Sequence, residues 1–150
     1  MEQANKTRDF LGDETQRAAA RIELYDVQGL WGGRRIYVEG ARRAVVHLIQ
    51  PGNLERRYEF APTAAEIKWL LDLLVENDFL TIKPGERPGI PDEARPSITL
   101  VNAAGDKWAV AKWAGVKDER FDALYRALIH FEETTKTIEP VYVGPYKIES

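Results

Sequence analysis

Residues 34–60 read RRIYVEGARRAVVHLIQPGNLERRYEF, and the layout of this stretch decides the fold class. Three runs rich in β-branched and aromatic residues are separated by two glycine-containing breaks, the pattern of an antiparallel meander. The expected strands are 34–38, 42–50 and 55–60, joined by Glu39-Gly40-Ala41 and by Pro51-Gly52-Asn53. In the middle run Ala44, Val46 and Leu48 fall on one side, and Val45, His47 and Ile49 on the other. Apolar residues on both sides predict a central strand covered, or nearly covered, twice.

Toward the N-terminus, residues 21–27 alternate, with Ile22 and Leu24 opposed to Arg21 and Glu23, and supply a fourth strand. Between it and residue 34 lies Gly29-Leu30-Trp31-Gly32-Gly33, whose glycines predict a turn or bulge. Residues 13–20 fit a short helix with Asp13 as N-cap. Residues 1–12 are expected to be mobile, which makes 1–20 a partly mobile segment ahead of the domain.

Toward the C-terminus, Thr63-Ala64-Ala65-Glu66 fits a capping box and opens a helix over 63–79. Ile67, Leu70, Leu71 and Leu74 form its inward stripe, with Trp69 and Leu73 on a second apolar strip. Residues 84–96, PGERPGIPDEARP, hold four prolines and read as a long loop. A hairpin over 97–113 follows, with Ile98, Leu100, Trp108 and Val110 on its core face and Trp113 on the opposite one. A second amphipathic helix, 118–134, aligns Phe121, Leu124, Leu128 and Phe131 behind Asp118-Glu119, which complement its N-terminus. Residues 138–150 are apolar enough to add an edge strand or pack as an extended arm. The expected fold is α+β: an antiparallel sheet, made of a four-stranded meander plus a hairpin, packed against two amphipathic helices in one domain, 21–150.

Composition bounds the chemistry. The chain has 150 residues and no cysteine, which excludes disulfides, thiolate metal sites and cysteine nucleophiles. No apolar run approaches the ~20 residues a membrane helix needs, and no signal peptide is visible, so a cytoplasmic location without membrane association is expected. The net charge is −3, which weighs against general nucleic-acid binding. Residues 31–60 nevertheless carry six arginines against Glu39, Glu55 and Glu59.

That arginine-rich region supplies the leading candidate surface. With Ile36 and Val38 facing the helices, Arg35 and Tyr37 face outward, and the matching register adds Arg43, His47 and Arg57. Basic residues interleaved with aromatics on a sheet can recognise a protein partner, or stack and neutralise a single-stranded nucleic acid. The plainer reading is a solvated face on which Glu39, Glu55 and Glu59 neutralise the arginines across strands. Trp31, between glycines, is a second candidate anchor. His47 and His130 have no metal-ligand or catalytic context, and His47 reads best as a hydrogen-bonded, semi-buried sheet residue. Ser97 and Ser150, the only serines, sit in no nucleophile elbow. An enzymatic or small-molecule alternative places a site under loop 84–96, built from Asp92, Glu93 and Arg95.

The progression IELYDV…GGRRIYVEG, NDFL, then SITLVNAAGDKW resembles small bacterial domains of unknown function with a sheet–helix–hairpin–helix layout, over residues 21–130. Some such domains carry cysteines near the first strand, and this chain has none there. The resemblance implies an architecture and transfers no functional residue. The expectation is therefore a non-catalytic binding module without a cofactor or metal, recognising a protein partner through Trp31, Arg35, Tyr37, Arg43 and Arg57. Nothing in the sequence sets an oligomeric state.

Overall fold

The computed structural model describes residues 4–28, 31–91 and 93–146. Seven strands form one antiparallel sheet: β1 (Arg21–Gln28), β2 (Gly32–Glu39), β3 (Arg43–Gln50), β4 (Leu54–Phe60), β5 (Ser97–Val101), β6 (Lys107–Ala111) and β7 (Tyr142–Pro145). Their order across the sheet is β6-β5-β1-β2-β3-β4-β7. The expected meander is its middle, the hairpin β5–β6 joins alongside β1, and the C-terminal arm adds β7 beside β4. Residues 147–150 of that arm lie outside the described residues.

The helices are α1 (Lys6–Leu11), α2 (Glu14–Ala18), α3 (Ala64–Glu76), α4 (Glu119–Ile129) and α5 (Glu132–Thr135). The core forms where they meet one face of the sheet. Ile22, Leu24, Ile36, Val38, Ala44, Val46, Ile98 and Leu100 from the strands cluster with Leu70, Leu74, Phe121, Leu124 and Phe131 from the helical side. The capping box at Thr63 forms in both directions, and Asp118 caps α4 through the Phe121 N–H.

Several boundaries differ from the sequence expectation for identifiable reasons. Gly32 and Gly33 are not a turn but the first two residues of β2, paired with Gln28 and Val27. A Cβ on Gly33, at φ 144°, would stand 1.9 Å from the Asp26 carbonyl oxygen, and one on Gly32, at φ 77°, would stand 2.2 Å from that of Ile49. Close backbone approach, not chain reversal, is what these glycines permit. Gly29 and Leu30 lie outside the described residues.

The first long helix stops at Glu76, short of residue 79, because Asp78 adopts a left-handed conformation and Phe79–Thr81 continues as a 3₁₀ turn. The second is broken at His130–Phe131. There the Phe131 N–H bonds to the Leu128 carbonyl, a tighter 3₁₀ spacing, before α5 begins. α1 is the element without a sequence assignment. It buries Thr7 and Leu11, and its ends carry the N-cap Asn5 and Gly12 at φ 82°.

The hairpin keeps the expected parity, with Trp108 opposite Leu100 on the helix side. On the edge strand β6, however, Trp108 remains 43% exposed. Trp113 follows the strand and carries the Arg95 guanidinium 5.1 Å above its ring. Trp69 meets His130 edge-on at 5.3 Å, and Leu73 packs partly buried against the core. Leu73 is thus used inside the molecule, while Trp69 stays 41% exposed beside His130.

Candidate partner-binding face

Because all the strands are antiparallel and side chains alternate, one register row fixes what the other sheet face displays. Tyr25, Arg35, His47, Arg57 and Tyr142 lie side by side across β1, β2, β3, β4 and β7. The next row is Glu23, Tyr37, Val45 and Glu59, and beyond it Arg21, Glu39 and Arg43. Four of the five predicted residues, Arg35, Tyr37, Arg43 and Arg57, therefore share this face. They border a concavity of about 420 Å³, whose lining includes Glu23, His47, Glu59 and Tyr146. Trp31 does not line it. It stands at the β1–β2 connection, 62% exposed, its N–H bonded to the Gln28 carbonyl.

No helix residue of the core cluster belongs to this face, yet Val45 and Ile49 on it are buried. The long polar side chains supply part of the cover. Arg35 lies 6.0 Å from the Tyr25 ring centroid, Arg43 5.9 Å from that of Tyr37, and Arg57 4.7 Å from that of Tyr142. The central strand is indeed shielded on both sides, by helices on one and by arginine stems and tyrosine rings on the other.

Arg35, Arg43 and Arg57 each also have a carboxylate. Arg35 Nε reaches Glu23 at 3.1 Å, Arg43 reaches Glu59 at 3.0 Å and Glu39 at 3.6 Å, and Arg57 reaches Glu55 at 3.0 Å. The face consequently alternates in sign instead of being uniformly basic. Glu55 is wholly buried and also bonds His47 Nδ1. Burial lowers the His47 pKa below its ordinary 6.5, outweighing the Glu55 carboxylate, and Arg57 and Arg35 push the same way. A neutral imidazole must then donate its Nδ1–H to Glu55. His47 is thus the hydrogen-bonded sheet residue the sequence predicted.

Two contributors were missed by sequence reasoning. Tyr142 and Tyr146 reach the face from the C-terminal arm, and the signal available was their period-two spacing with Gly144. The Tyr146 hydroxyl is shut off from solvent beside the Arg35 guanidinium and the Tyr25 hydroxyl, neither of which it meets in strict hydrogen-bond geometry. Its pKa is raised by burial, with Tyr25 adding to the effect.

The residues of the alternative site are occupied differently. Glu93 is bonded by Arg87 at 2.5 Å, by the Gly115 N–H at 2.7 Å and by the Ile90 N–H at 3.3 Å. The Arg87 bond, backed by those backbone bonds, brings its pKa down to about 2. Arg95 stacks on Trp113, and Asp92 lies outside the described residues. These groups pin the loop to the segment that follows β6. Two concavities border the loop: one of about 190 Å³ beneath its end, beside Asp26, Lys112, Asp122 and Tyr125, and one of about 550 Å³ lined by Pro84, Glu86, Arg95 and Trp108. Glu93 lines neither.

Among the described residues no group of three or more His, Asp or Glu side chains is placed to hold a metal ion, and no helix is long and apolar enough to cross a membrane. No protein-family model, curated protein or solved structure matches the chain.

Proposed function

We propose that the protein is a non-catalytic interaction module that recognises a protein partner through the helix-free face of its sheet, centred on Arg35, Tyr37 and Arg43. The observation carrying this reading is the Tyr25–Arg35–His47–Arg57–Tyr142 row beside a concavity that no helix of the core covers. Tyrosine and arginine are the side chains most enriched where protein interfaces concentrate their binding energy. The interleaved glutamates favour a partner of mixed charge over a polyanion, since a phosphate chain would meet Glu23 and Glu59 along with the arginines. Trp31 lies outside the concavity and would serve as a peripheral anchor.

The test is the double substitution Arg35→Glu with Arg43→Glu, assayed by affinity capture from nuclease-treated lysate of the producing cells at low and high salt. Both arginines belong to partly exposed pairs, which contribute roughly 0–1 kcal/mol each. The reversed variant should lose a stoichiometric protein partner, with some loss of stability because it sets carboxylates beside Glu23, Glu39 and Glu59. Arg35→Gln with Arg43→Gln, which adds no like charge, should lose the partner while its melting temperature moves little. Capture retained by the variant removes this face from consideration. Nucleic acid bound by the untreated protein and released steeply by salt would favour the single-strand reading instead.

A further inference from the structure

We propose that the free edge of β6 is a docking site for an extended, acidic segment of a partner protein, which adds to the sheet as an eighth strand. The site adjoins the arginine face, with which its helix-free concavity shares Glu23 and Tyr37. Of those two concavities only the one at the edge is lined by Lys107 and Ala109, and the test keeps the two surfaces distinguishable. β6 ends the strand order, and its pairing with β5 is bracketed by two bonds of one ladder: Asn102 N–H to the Asp106 carbonyl and Lys112 N–H to the Pro96 carbonyl, both 3.0 Å. Antiparallel ladders alternate, so the hydrogen-bonded pairs between these are Leu100–Trp108 and Ile98–Val110. The backbone N–H and C=O groups of Lys107, Ala109 and Ala111 therefore point away from the sheet. Proteins usually guard such an edge with charge, proline or cover. Here Lys107 is the only charge on β6, Ala109 is exposed, and the strand contains no proline. The opposite edge differs: β7 is four residues long and ends in Pro145.

A strand docked on an edge directs alternate side chains to the two sheet faces, and specificity comes from what each meets there. Both faces offer a concavity beside Ala109. On the helix-free side, about 510 Å³ lies among Arg21, Thr99 and Lys107, with Glu23 in its lining already paired to Arg35 at 3.1 Å. On the helix side, about 550 Å³ lies among Ile82, Pro84 and Trp108, with the charged Lys83, Glu86 and Arg95 also in its lining. Arg21 and Lys107 share one register row through Val101, and neither has an acidic partner among the described residues. The occupant is thus a segment with carboxylates on its outer-face positions and apolar side chains between them, the latter seated against Trp108 and Pro84. A second copy of β6, KWAVA, carries a lysine and no carboxylate, and so does not supply the missing charge.

The probe is a fluorescent octapeptide of alternating aspartate and valine, compared with its lysine–valine counterpart, titrated into the whole chain. The acidic peptide should bind saturably and the basic one should not. At saturation the Lys107, Ala109 and Ala111 amides should become protected from hydrogen exchange, while Trp108 and Val110 stay as they were. Ala109→Pro removes only an outward N–H, a change edge strands tolerate, and should weaken binding at least about tenfold. Lys107→Glu should do the same without touching the backbone, which covers the case of Ala109→Pro folding poorly. No saturable binding of the acidic peptide, or binding that survives both substitutions, overturns the proposal. A concentration-dependent dimer abolished by Ala109→Pro would assign the edge to a second copy instead. Neither edge variant should affect capture through Arg35 and Arg43, so the two surfaces fail separately.

Discussion

Glu55 and Glu59 lie four residues apart on the same face of β4, with Arg57 between them, yet they have opposite energetic roles. Glu55 is wholly buried between His47 and Arg57, whereas Glu59 meets Arg43 at the surface. A buried carboxylate deprived of a charged donor carries a desolvation penalty that an exposed one does not. Arg57→Ala should therefore cost ~2–3 kcal/mol, because Glu55 would retain only a neutral imidazole. Arg43→Ala should cost under ~1 kcal/mol, since both partners are largely solvated. Urea denaturation of the two variants separates them, and equal losses would contradict the burial asymmetry. The result also bears on recognition: of the arginines on the face, Arg57 is committed to the fold, while Arg43, in the more exposed pair, can be changed at little structural cost. Alternation in the sequence places Arg35, Tyr37, Arg43 and Arg57 on one face. It cannot distinguish Glu55 from Glu59, because that difference depends on what β3 and β7 bring alongside.

At the scale of elements, the strands and α3 follow from local signals: period-two alternation, paired turns, and a capping box ahead of an Ile67–Leu74 stripe. α1 depends on a long-range one. Its Thr7 N–H and hydroxyl both donate to Asp78 Oδ1, at 3.0 and 2.7 Å, and the Thr7 oxygen accepts from the Leu80 N–H at 3.0 Å. The same Asp78 is held at φ 41°, a conformation that costs a non-glycine residue free energy unless its surroundings enforce it. The contact thus ends α3, starts the 3₁₀ turn and fastens the N-terminal helix in one step. Asn5 and Gly12, spaced as helix caps, were the signal in the sequence that could have placed α1; the 71-residue separation of Thr7 from Asp78 could not be read there. Thr7→Val keeps the shape but leaves the Leu80 N–H without its acceptor, and should destabilise the protein by ~1–3 kcal/mol. Thr7→Ser should restore most of that loss. If valine is as stable as threonine in thermal and urea unfolding, the anchor carries no weight.

For the molecule as a whole, two groups with lowered pKa values predict how stability responds to acid. Burial holds His47 below 6.5 in the folded state, so the unfolded chain takes up the proton first as pH falls. Folding stability should then decline once pH drops through about 6.5 and level off below the folded value, with a slope of at most ~1.4 kcal/mol per pH unit for one proton. Glu93 repeats the sign in a lower window. Its pKa falls from 4.5 to about 2 through the Arg87 bond, so the stability it lends is complete above 4.5 and lost as pH approaches 2. The two steps belong to different parts of the molecule, one to the centre of the sheet and one to the clasp that pins loop 84–96. Substitutions therefore separate them. His47→Gln, which cannot titrate, should flatten the upper step in a series of urea midpoints from pH 8 to 3 and leave the lower one in place. Arg87→Ala should do the reverse, because a Glu93 without its guanidinium titrates closer to where it does in the unfolded chain. An upper step that persists in His47→Gln would mean that another group governs stability near neutrality, and that burial of His47 contributes nothing to the acid response.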